Sequence, residues 1–183
     1  IYGAQLEQGS YATSYIPTQG GVVTRVAETC NNGANEQVIN STEGVLYAEI
    51  SALANDVITR RLSLTGASSN DRINISFTGV TNRIQSFGFV GGALQFNMTY
   101  VVADVTQFNK IAIKYKENDF ALWINGVEVS TATSGITWSV NTLNNLVYNN
   151  NSSGSEPFYS NTKEIKLYNT ALTDQELINL TTI

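Results

Sequence analysis

Residues 108–129 read FNKIAIKYKENDFALWINGVEV and hold three short runs in which apolar residues alternate with others. Asn125-Gly126, between the second and third runs, is a strong hairpin signal, because a type I′ turn needs positive φ at both central residues. The two-residue loop fixes the register and places Leu122 opposite Val129. The stretch therefore predicts three antiparallel strands that share one buried face. That face comprises Phe120, Leu122, Ile124, Val127 and Val129.

Trp123 lies on the other face of this predicted hairpin. A loop at residues 116–119 aligns the first two strands and sets Trp123 beside Ala112, while Glu128 follows on the third strand. A large indole between a small side chain and a carboxylate, away from the core, is expected to be only partly covered. Trp123 is therefore a candidate ligand-binding residue.

The rest of the chain predicts an all-β fold, an antiparallel β-sandwich with a short C-terminal helix. Its alternating runs are separated by Gly, Asn, Asp and Ser, and the sequence contains only two prolines. Further strands are expected at Val22–Thr29, Gly44–Leu53, Val57–Leu64, Asp71–Thr78, Arg83–Phe89 and Leu146–Asn149, and in the runs that begin at Ala93 and Lys163.

The C-terminal helix has clear start signals. Thr173 and Glu176 match a capping box, in which each side chain satisfies the backbone N–H of the other residue. Leu172 precedes the cap and can pack against Leu177. The helix is expected to lay Leu177 and Leu180 against the sandwich and to close the fold.

The composition excludes several classes of function. Charged residues are 14% of the chain, the net charge is −5 and the sequence pI is about 4.6, so we expect no nucleic-acid partner. No apolar run approaches the ~18 residues of a membrane span, so we expect no membrane insertion. The chain has no histidine, the usual general base and zinc ligand. Cys30 is the only cysteine, which excludes an intrachain disulfide and is typical of a small buried residue.

The opening segment differs from the rest of the chain. IYGAQLEQGSYATSYIPTQG, residues 1–20, holds one strand-like run, a Ser/Thr/Tyr-rich stretch, a proline and a glycine. It resembles a GAQLE…ATSYIPT segment that ends an upstream jelly-roll domain in several phage and marine bacterial proteins. We therefore expect residues 1–20 to be the end of an upstream domain plus a linker, and residues 21–183 to be a domain of their own.

The hairpin and the C-terminal segment together resemble a known family. FALWINGVEV is similar to the strand-turn-strand unit of laminin-G-like, concanavalin A-like jelly-roll domains, and KEIKLYNTALTDQELINL is similar to their closing strand and helix. TRVAETC, INSTEGVLYAEI and LYNTALTDQEL are similar to segments of bacteriophage structural proteins and environmental bacterial surface proteins. The resemblance covers about residues 21–183 and implies a jelly-roll sandwich. The family includes lectins, carbohydrate-binding modules, glycosidases, lyases and adhesion domains.

A catalytic pair of carboxylates is not evident in the sequence. A glycosidase needs two carboxylates about 5–9.5 Å apart across the sugar, and the glucanase branch of the family carries them on one strand in an E-x-D-x-x-E arrangement. Glu49 stands alone in its run, and the remaining carboxylates are scattered at turns. Lyases of related fold use motifs that include histidine. We therefore expect a domain that is not an enzyme.

A saccharide site needs an aromatic ring for the sugar's C–H face and polar groups for its hydroxyls. The candidate ligand-binding residues are Trp123, Trp138, Tyr148, Tyr159, Arg60, Asn125, Asn149 and Asn150. Core packing is the alternative role for each aromatic, and a surface strand position is the alternative for Arg60.

Calcium is the one cofactor that the sequence suggests. Similar domains hold this hard cation through Asp, Asn and backbone oxygens of loops. Asn70 and Asp71 lie in such a loop, and residues 149–156 offer further oxygens, although neither stretch has a D-x-D-x-D spacing. Turn formation is the alternative role for these residues.

Three functions remain open. The first is a non-catalytic recognition module that binds cell-surface glycan or polysaccharide as part of a phage fibre or surface protein, at the virion surface or extracellular, in a homotrimer. The second is a carbohydrate-binding module of a secreted bacterial polysaccharide-degrading enzyme. The third is a purely structural virion or adhesion domain.

Overall fold

The computed structural model describes residues 15–17, 20, 21, 23, 33–151 and 154–183. Within these residues the chain forms ten strands and one helix. The strands are β1 Glu43–Ala52, β2 Arg60–Thr65, β3 Arg72–Phe77, β4 Arg83–Val90, β5 Ala93–Val101, β6 Asn109–Lys116, β7 Phe120–Ile124, β8 Val127–Ala132, β9 Asn145–Val147 and β10 Ser160–Tyr168. The helix α1 spans Asp174–Thr181.

The strands form two antiparallel five-stranded sheets. Sheet A has the order β10-β1-β6-β7-β8, and sheet B has the order β5-β4-β3-β2-β9. The core lies between them because alternate residues of each strand point inward. Its members include Leu46, Ile50, Leu62, Leu64, Ile73, Ile75, Ile84, Ile111, Ile113 and Leu122. The predicted all-β sandwich with a short C-terminal helix is confirmed.

The central hairpin follows the predicted register only up to a bulge. Asn125 and Gly126 have φ values of 52° and 83°, as a type I′ turn requires. The register then shifts between Leu122 and Trp123, so that Leu122 lies opposite Ser130. The predicted pairing of Leu122 with Val129 is therefore wrong, because β8 carries one extra residue at this point.

Val127 is the other exception on this hairpin. It is 58% exposed and does not contribute to the buried face. It lies at the start of β8, an edge strand of sheet A, where no second neighbouring strand covers it.

Trp123 is buried, and the expectation that it would be only partly covered is wrong. Its side chain is 4% exposed and belongs to a second apolar cluster on the outer face of sheet A. The cluster comprises Val45, Tyr47, Ala112, Ala121, Trp123 and Leu177. Leu177 comes from α1, so the returning helix covers the indole. Ala112 lies opposite Trp123, as predicted.

Some expectations lie outside the described residues. These include Cys30, nearly all of the predicted strand Val22–Thr29 and most of residues 1–20. The next predicted strand, Val57–Leu64, begins only at Arg60. Its start is delayed because Val57 has a φ of 54°, which is incompatible with extended backbone. No helix of the described part of the chain is long and apolar enough to cross a membrane.

The capping box of α1 is formed, which leads to a first prediction. The Thr173 Oγ1 accepts the Glu176 N–H at 3.4 Å, and the Glu176 carboxylate accepts the Thr173 N–H at 2.8 Å. Thr173→Ala is expected to lower the free energy of unfolding by about 1 kcal/mol at neutral pH. Urea denaturation of both proteins measures the difference.

The effect of this substitution should depend on pH. Hydrogen bonds from the N–H and O–H of Thr173 hold the pKa of Glu176 below its usual range. A carboxylate whose folded-state pKa is lowered stabilises the fold above its unfolded pKa, and this contribution is lost as the pH falls through the folded pKa. The difference between wild type and Thr173→Ala should therefore shrink below about pH 4. A difference that stays constant down to pH ~2 would contradict the role of Glu176.

Candidate functional site

The outer face of sheet B carries a concentration of polar and aromatic side chains. Register pairs Arg61 with Ser76, and Thr65 with Arg72, so residues of β2 and β3 that alternate with the core residues share this face. The face comprises Arg61, Ser63, Thr65, Arg72, Asn74, Ser76, Arg83, Gln85, Phe87, Phe89, Asn97 and Thr99. We call this set the outer face of sheet B.

Two arginines stack on two phenylalanines at its centre. The Arg61 guanidinium carbon lies 4.7 Å from the centroid of the Phe87 ring. The Arg72 guanidinium carbon lies 5.3 Å from the Phe87 centroid and 4.4 Å from that of Phe89. The two rings meet edge to face at 5.3 Å. These cation–π contacts fix the orientation of both guanidinium planes.

Both guanidinium groups are partly removed from water. Burial lowers the pKa of Arg61, and the positive charge of Arg72 adds to this, while Glu156 acts in the opposite direction. Burial also lowers the pKa of Arg72, again opposed by Glu156. Because arginine titrates far above neutral pH, both groups carry their charge in a partly desolvated site.

The loop after β9 lies against β2. The backbone oxygen of Asn149 accepts the Ser63 hydroxyl at 2.7 Å, and the Asn150 Oδ1 accepts an Arg61 N–H at 3.0 Å. The Glu156 carboxylate lies 3.1 Å from the Arg61 Nε, and Glu156 has a φ of 52°. Strained backbone of this kind is enriched at functional sites.

The part of the face on β5 is open to solvent, whereas Phe87 on β4 is buried. Gln85 donates to the Asn97 Oδ1 at 2.7 Å, and both Asn97 and Thr99 are exposed. Phe89 is partly buried beside them. An aromatic edge, two amides and a hydroxyl therefore border the arginine pair.

The aromatic residues predicted from sequence lie elsewhere. Trp138 is 1% exposed in the core, donates its Nε1–H to the Phe89 oxygen at 2.7 Å, and meets Tyr115 edge to face. Its ring, like that of Trp123, offers no open face to a ligand in this conformation. Tyr148 is partly buried against Phe158, with ring centroids 5.9 Å apart. Tyr159 is 44% exposed.

Two of the predicted polar residues have structural partners. Arg60 is buried and donates to both carboxylate oxygens of Asp56, at 2.7 and 2.6 Å. Asn125 accepts the Lys110 N–H at 2.9 Å and donates to the Asn109 Oδ1 at 2.9 Å, so it holds the hairpin turn. Asn125 lies in a turn of sheet A, and Arg60 points to the side of β2 opposite Arg61 and Ser63, which contact Asn150 and Asn149.

The loop predicted to hold calcium is tied to its neighbour. The Asp71 Oδ1 accepts the Gly91 N–H at 2.8 Å, and the Asn70 oxygen accepts the Gly92 N–H at 2.9 Å. Among the described residues, no group of three or more His, Cys, Asp or Glu side chains could hold a metal ion. Calcium at Asn70 and Asp71 stays a prediction.

Glu49 does not stand alone, contrary to its position in the sequence. Strand pairing sets it opposite Glu164 on the outer face of sheet A. Lys163 approaches Glu49 at 2.6 Å, and Lys166 approaches Glu164 at 2.9 Å. Burial, followed by the two carboxylates, raises the pKa of the adjacent Tyr47 to about 12. Each carboxylate of this pair thus has its own lysine partner.

Sequence reasoning missed the residues that the outer face of sheet B brings together. Arg61, Arg72, Asn74, Phe87 and Phe89 each alternate with apolar core residues, and this alternation is visible in the sequence. The order in which β2, β3 and β4 pair is not visible, and only that order makes these residues neighbours.

Two antiparallel sheets packed face to face, with a polar and aromatic outer face on one of them, define this chain as a jelly-roll β-sandwich domain. The chain belongs to the concanavalin A-like lectin/glucanase superfamily, whose family model, Laminin_G_3, matches residues 30–178. The family resemblance seen in the sequence is confirmed. No curated protein sequence matches this chain.

Several solved structures share the fold at low sequence identity. The CBM40 of the Ruminococcus gnavus IT-sialidase, bound to α2,6-sialyllactose, is 16% identical with a TM-score of 0.64, covering 82% of this chain and 93% of its own. Domain 4 of the Geobacillus stearothermophilus arabinanase AbnA, in complex with arabinotriose, is 16% identical with a TM-score of 0.62, covering 81% and 70%.

A third neighbour is a whole enzyme. The leech intramolecular trans-sialidase is 18% identical with a TM-score of 0.62 over 78% of this chain. This chain spans only 24% of the enzyme's length. The similar structures therefore include both separate carbohydrate-binding modules and complete enzymes, and at these identities they establish the fold alone.

Proposed function

We propose that this chain is a non-catalytic recognition domain that binds a saccharide on the outer face of sheet B. The observation that carries the proposal is the convergence of two oriented arginines, two phenylalanines and exposed amides on one sheet face. The sialyllactose and arabinotriose complexes of the similar domains support a saccharide as the ligand.

The chemistry of the face suits a sugar ring. The C–H face of a pyranose can pack on Phe89, while the ring hydroxyls exchange hydrogen bonds with Gln85, Asn97 and Thr99. The carboxylates Glu49 and Glu164 lie on the other sheet and are each paired with a lysine. This separation supports binding without hydrolysis.

The wider setting remains part of the proposal. In a phage fibre or surface protein, this face would be exposed at the virion surface or outside the cell. In a secreted polysaccharide-degrading enzyme, it would be extracellular. Light scattering of the full-length protein separates them, because a trimer favours the fibre and a monomer counts against it. A purely structural domain predicts no saccharide binding at all.

Asn97→Ala provides a direct test of the binding face. Asn97 is exposed, so its removal should leave the free energy of unfolding within about 0.5 kcal/mol of wild type. Loss of its hydrogen bonds is expected to weaken saccharide binding about tenfold. Titration calorimetry with the best ligand from a glycan array measures the change.

Asn161→Ala is the matched control, since Asn161 is an exposed amide on β10 of sheet A. Equal affinities for Asn97→Ala and wild type, together with loss of binding in Tyr159→Ala, would contradict the proposed face and favour Tyr159, which the sequence predicts as a ligand-binding residue.

A glycan array run once with calcium and once with a chelator tests the loop that contains Asn70 and Asp71. Binding that survives chelation counts against a required calcium ion.

A further inference from the structure

Among the described residues, lysines and arginines lie on different sheets. Every lysine of the chain lies on β6 or β10 of sheet A. The four arginines of the described residues, Arg60, Arg61, Arg72 and Arg83, all lie on sheet B. In a chain of net charge −5, guanidinium groups are thus concentrated on one sheet. Their planar fork matches a carboxylate better than an ammonium group does.

Positive charge is in excess at the centre of the outer face of sheet B. Arg61 and Arg72 flank Phe87, and Glu156 is the one carboxylate of the described residues within ion-pair distance of either guanidinium. Arg72 donates to the backbone oxygen of Ser69, which is a neutral acceptor. Two partly desolvated guanidinium groups that share one carboxylate leave an excess of positive charge, which favours the approach of an anion.

Hydrogen-bond donors are also in excess there. The Arg72 Nε and the Asn74 Nδ2 are buried N–H groups without an acceptor, and the buried Thr65 Oγ1 has no partner either. Thr65 lies directly opposite Arg72, and Asn74 is two positions further along the same face of β3. Asn74 and Thr65 are both 0% exposed. Buried donors are normally paired, so these unpaired N–H groups leave the outer face of sheet B short of acceptors and add to its positive potential, although a ligand cannot touch them in this conformation.

We infer that the outer face of sheet B selects acidic saccharides, and that Arg72 binds the sugar carboxylate. This inference rests on the proposed function and specifies its ligand. Arg72 is partly buried, and its guanidinium lies over the Phe89 ring of β4, so it borders the exposed side chains of β5. A carboxylate brings only acceptors and a negative charge. A neutral sugar brings hydroxyls, which add donors and leave the charge uncompensated.

Paired ligands that differ in the acid group test the inference. Titration calorimetry is run with 3′-sialyllactose against lactose, and with oligogalacturonate against its methyl ester. Wild type should bind at least one acidic member about tenfold or more tightly than its neutral partner. The difference should shrink as the salt concentration is raised.

Arg72→Gln should remove the preference for the acidic ligand. Arg72→Lys keeps the charge but loses the planar fork, and should retain only part of the preference. Lys116→Gln is the matched control, because it also removes one positive charge but lies at the end of β6 on sheet A, outside the outer face of sheet B. It should bind like wild type. Circular dichroism and urea denaturation establish that each variant is folded.

The possible outcomes distinguish failure of the acidic preference from failure of saccharide binding itself. Equal affinity for acidic and neutral ligands would overturn the inference and leave saccharide binding intact. A folded Arg72→Gln variant that keeps the full preference, or a preference for sulfated over carboxylated sugars on the array, would also overturn it. Absence of binding to every glycan on the array would overturn the proposed function itself.

Discussion

Trp138→Ala is expected to lower the free energy of unfolding by about 3–5 kcal/mol, as large-to-small substitutions of buried aromatic residues do. Trp138 is 1% exposed and packs edge to face against Tyr115 at 5.8 Å between ring centroids. Its Nε1–H also satisfies the Phe89 oxygen at 2.7 Å. The substitution leaves a cavity and a backbone carbonyl without its donor. Urea denaturation with a shared m-value measures the loss.

Two further variants separate the contributions of the hydrogen bond and of ring burial to the loss of stability. Trp138→Phe keeps most of the apolar volume but removes the hydrogen bond, and should cost about 1–3 kcal/mol. Tyr159→Ala removes a ring that is 44% exposed and should change stability by less than about 1 kcal/mol. If Trp138→Ala were as stable as wild type but no longer bound saccharide, Trp138 would be a ligand residue after all.

The hairpin shows which parts of the fold could be predicted from local sequence. Its turn depends on the φ angles of Asn125 and Gly126 alone, so the sequence predicts it correctly. The bulge after Trp123 has no comparable local signal. The sequence also predicts the capping box of α1 correctly, because Thr173 and Glu176 are only three residues apart.

The local sequence around Trp123 and Trp138 does not predict that the two side chains are buried. Trp123 is covered by Leu177 of α1, and Trp138 is held against Tyr115 of β6. Both contacts join segments that are distant in the sequence. An aromatic residue on the outer side of a strand is therefore ambiguous until the elements that pack on that side are known.

The candidate site fails to emerge from sequence for a related reason. Arg61, Arg72 and Phe89 come from three strands, and each looks like an ordinary surface position in its own run. Pairing of Thr65 with Arg72, and of Arg72 with Phe89, brings them onto one face. Strand order, rather than any motif, creates the site.

Asp56→Asn is expected to lower the free energy of unfolding by about 3–5 kcal/mol, since it removes one charge of a buried ion pair. The Asp56 and Arg60 side chains are 14% and 4% exposed, and their closest atoms are 2.6 Å apart. Asp119→Asn is the matched control. The Lys114–Asp119 pair is equally short at 2.7 Å, but Asp119 is 51% exposed, so its loss should cost about 1 kcal/mol or less.

This pair also separates the roles of two consecutive arginines. Arg60 and Arg61 point to opposite sides of β2, because side chains alternate along a strand. Arg60→Met combined with Asp56→Asn should be less destabilising than the sum of the single changes, since the double variant removes both charges of the pair. At temperatures where it remains folded, the double variant should keep the affinity for saccharide. If instead Arg60→Met abolished binding in a folded protein, Arg60 would belong to the ligand site and the outer face of sheet B would not be sufficient.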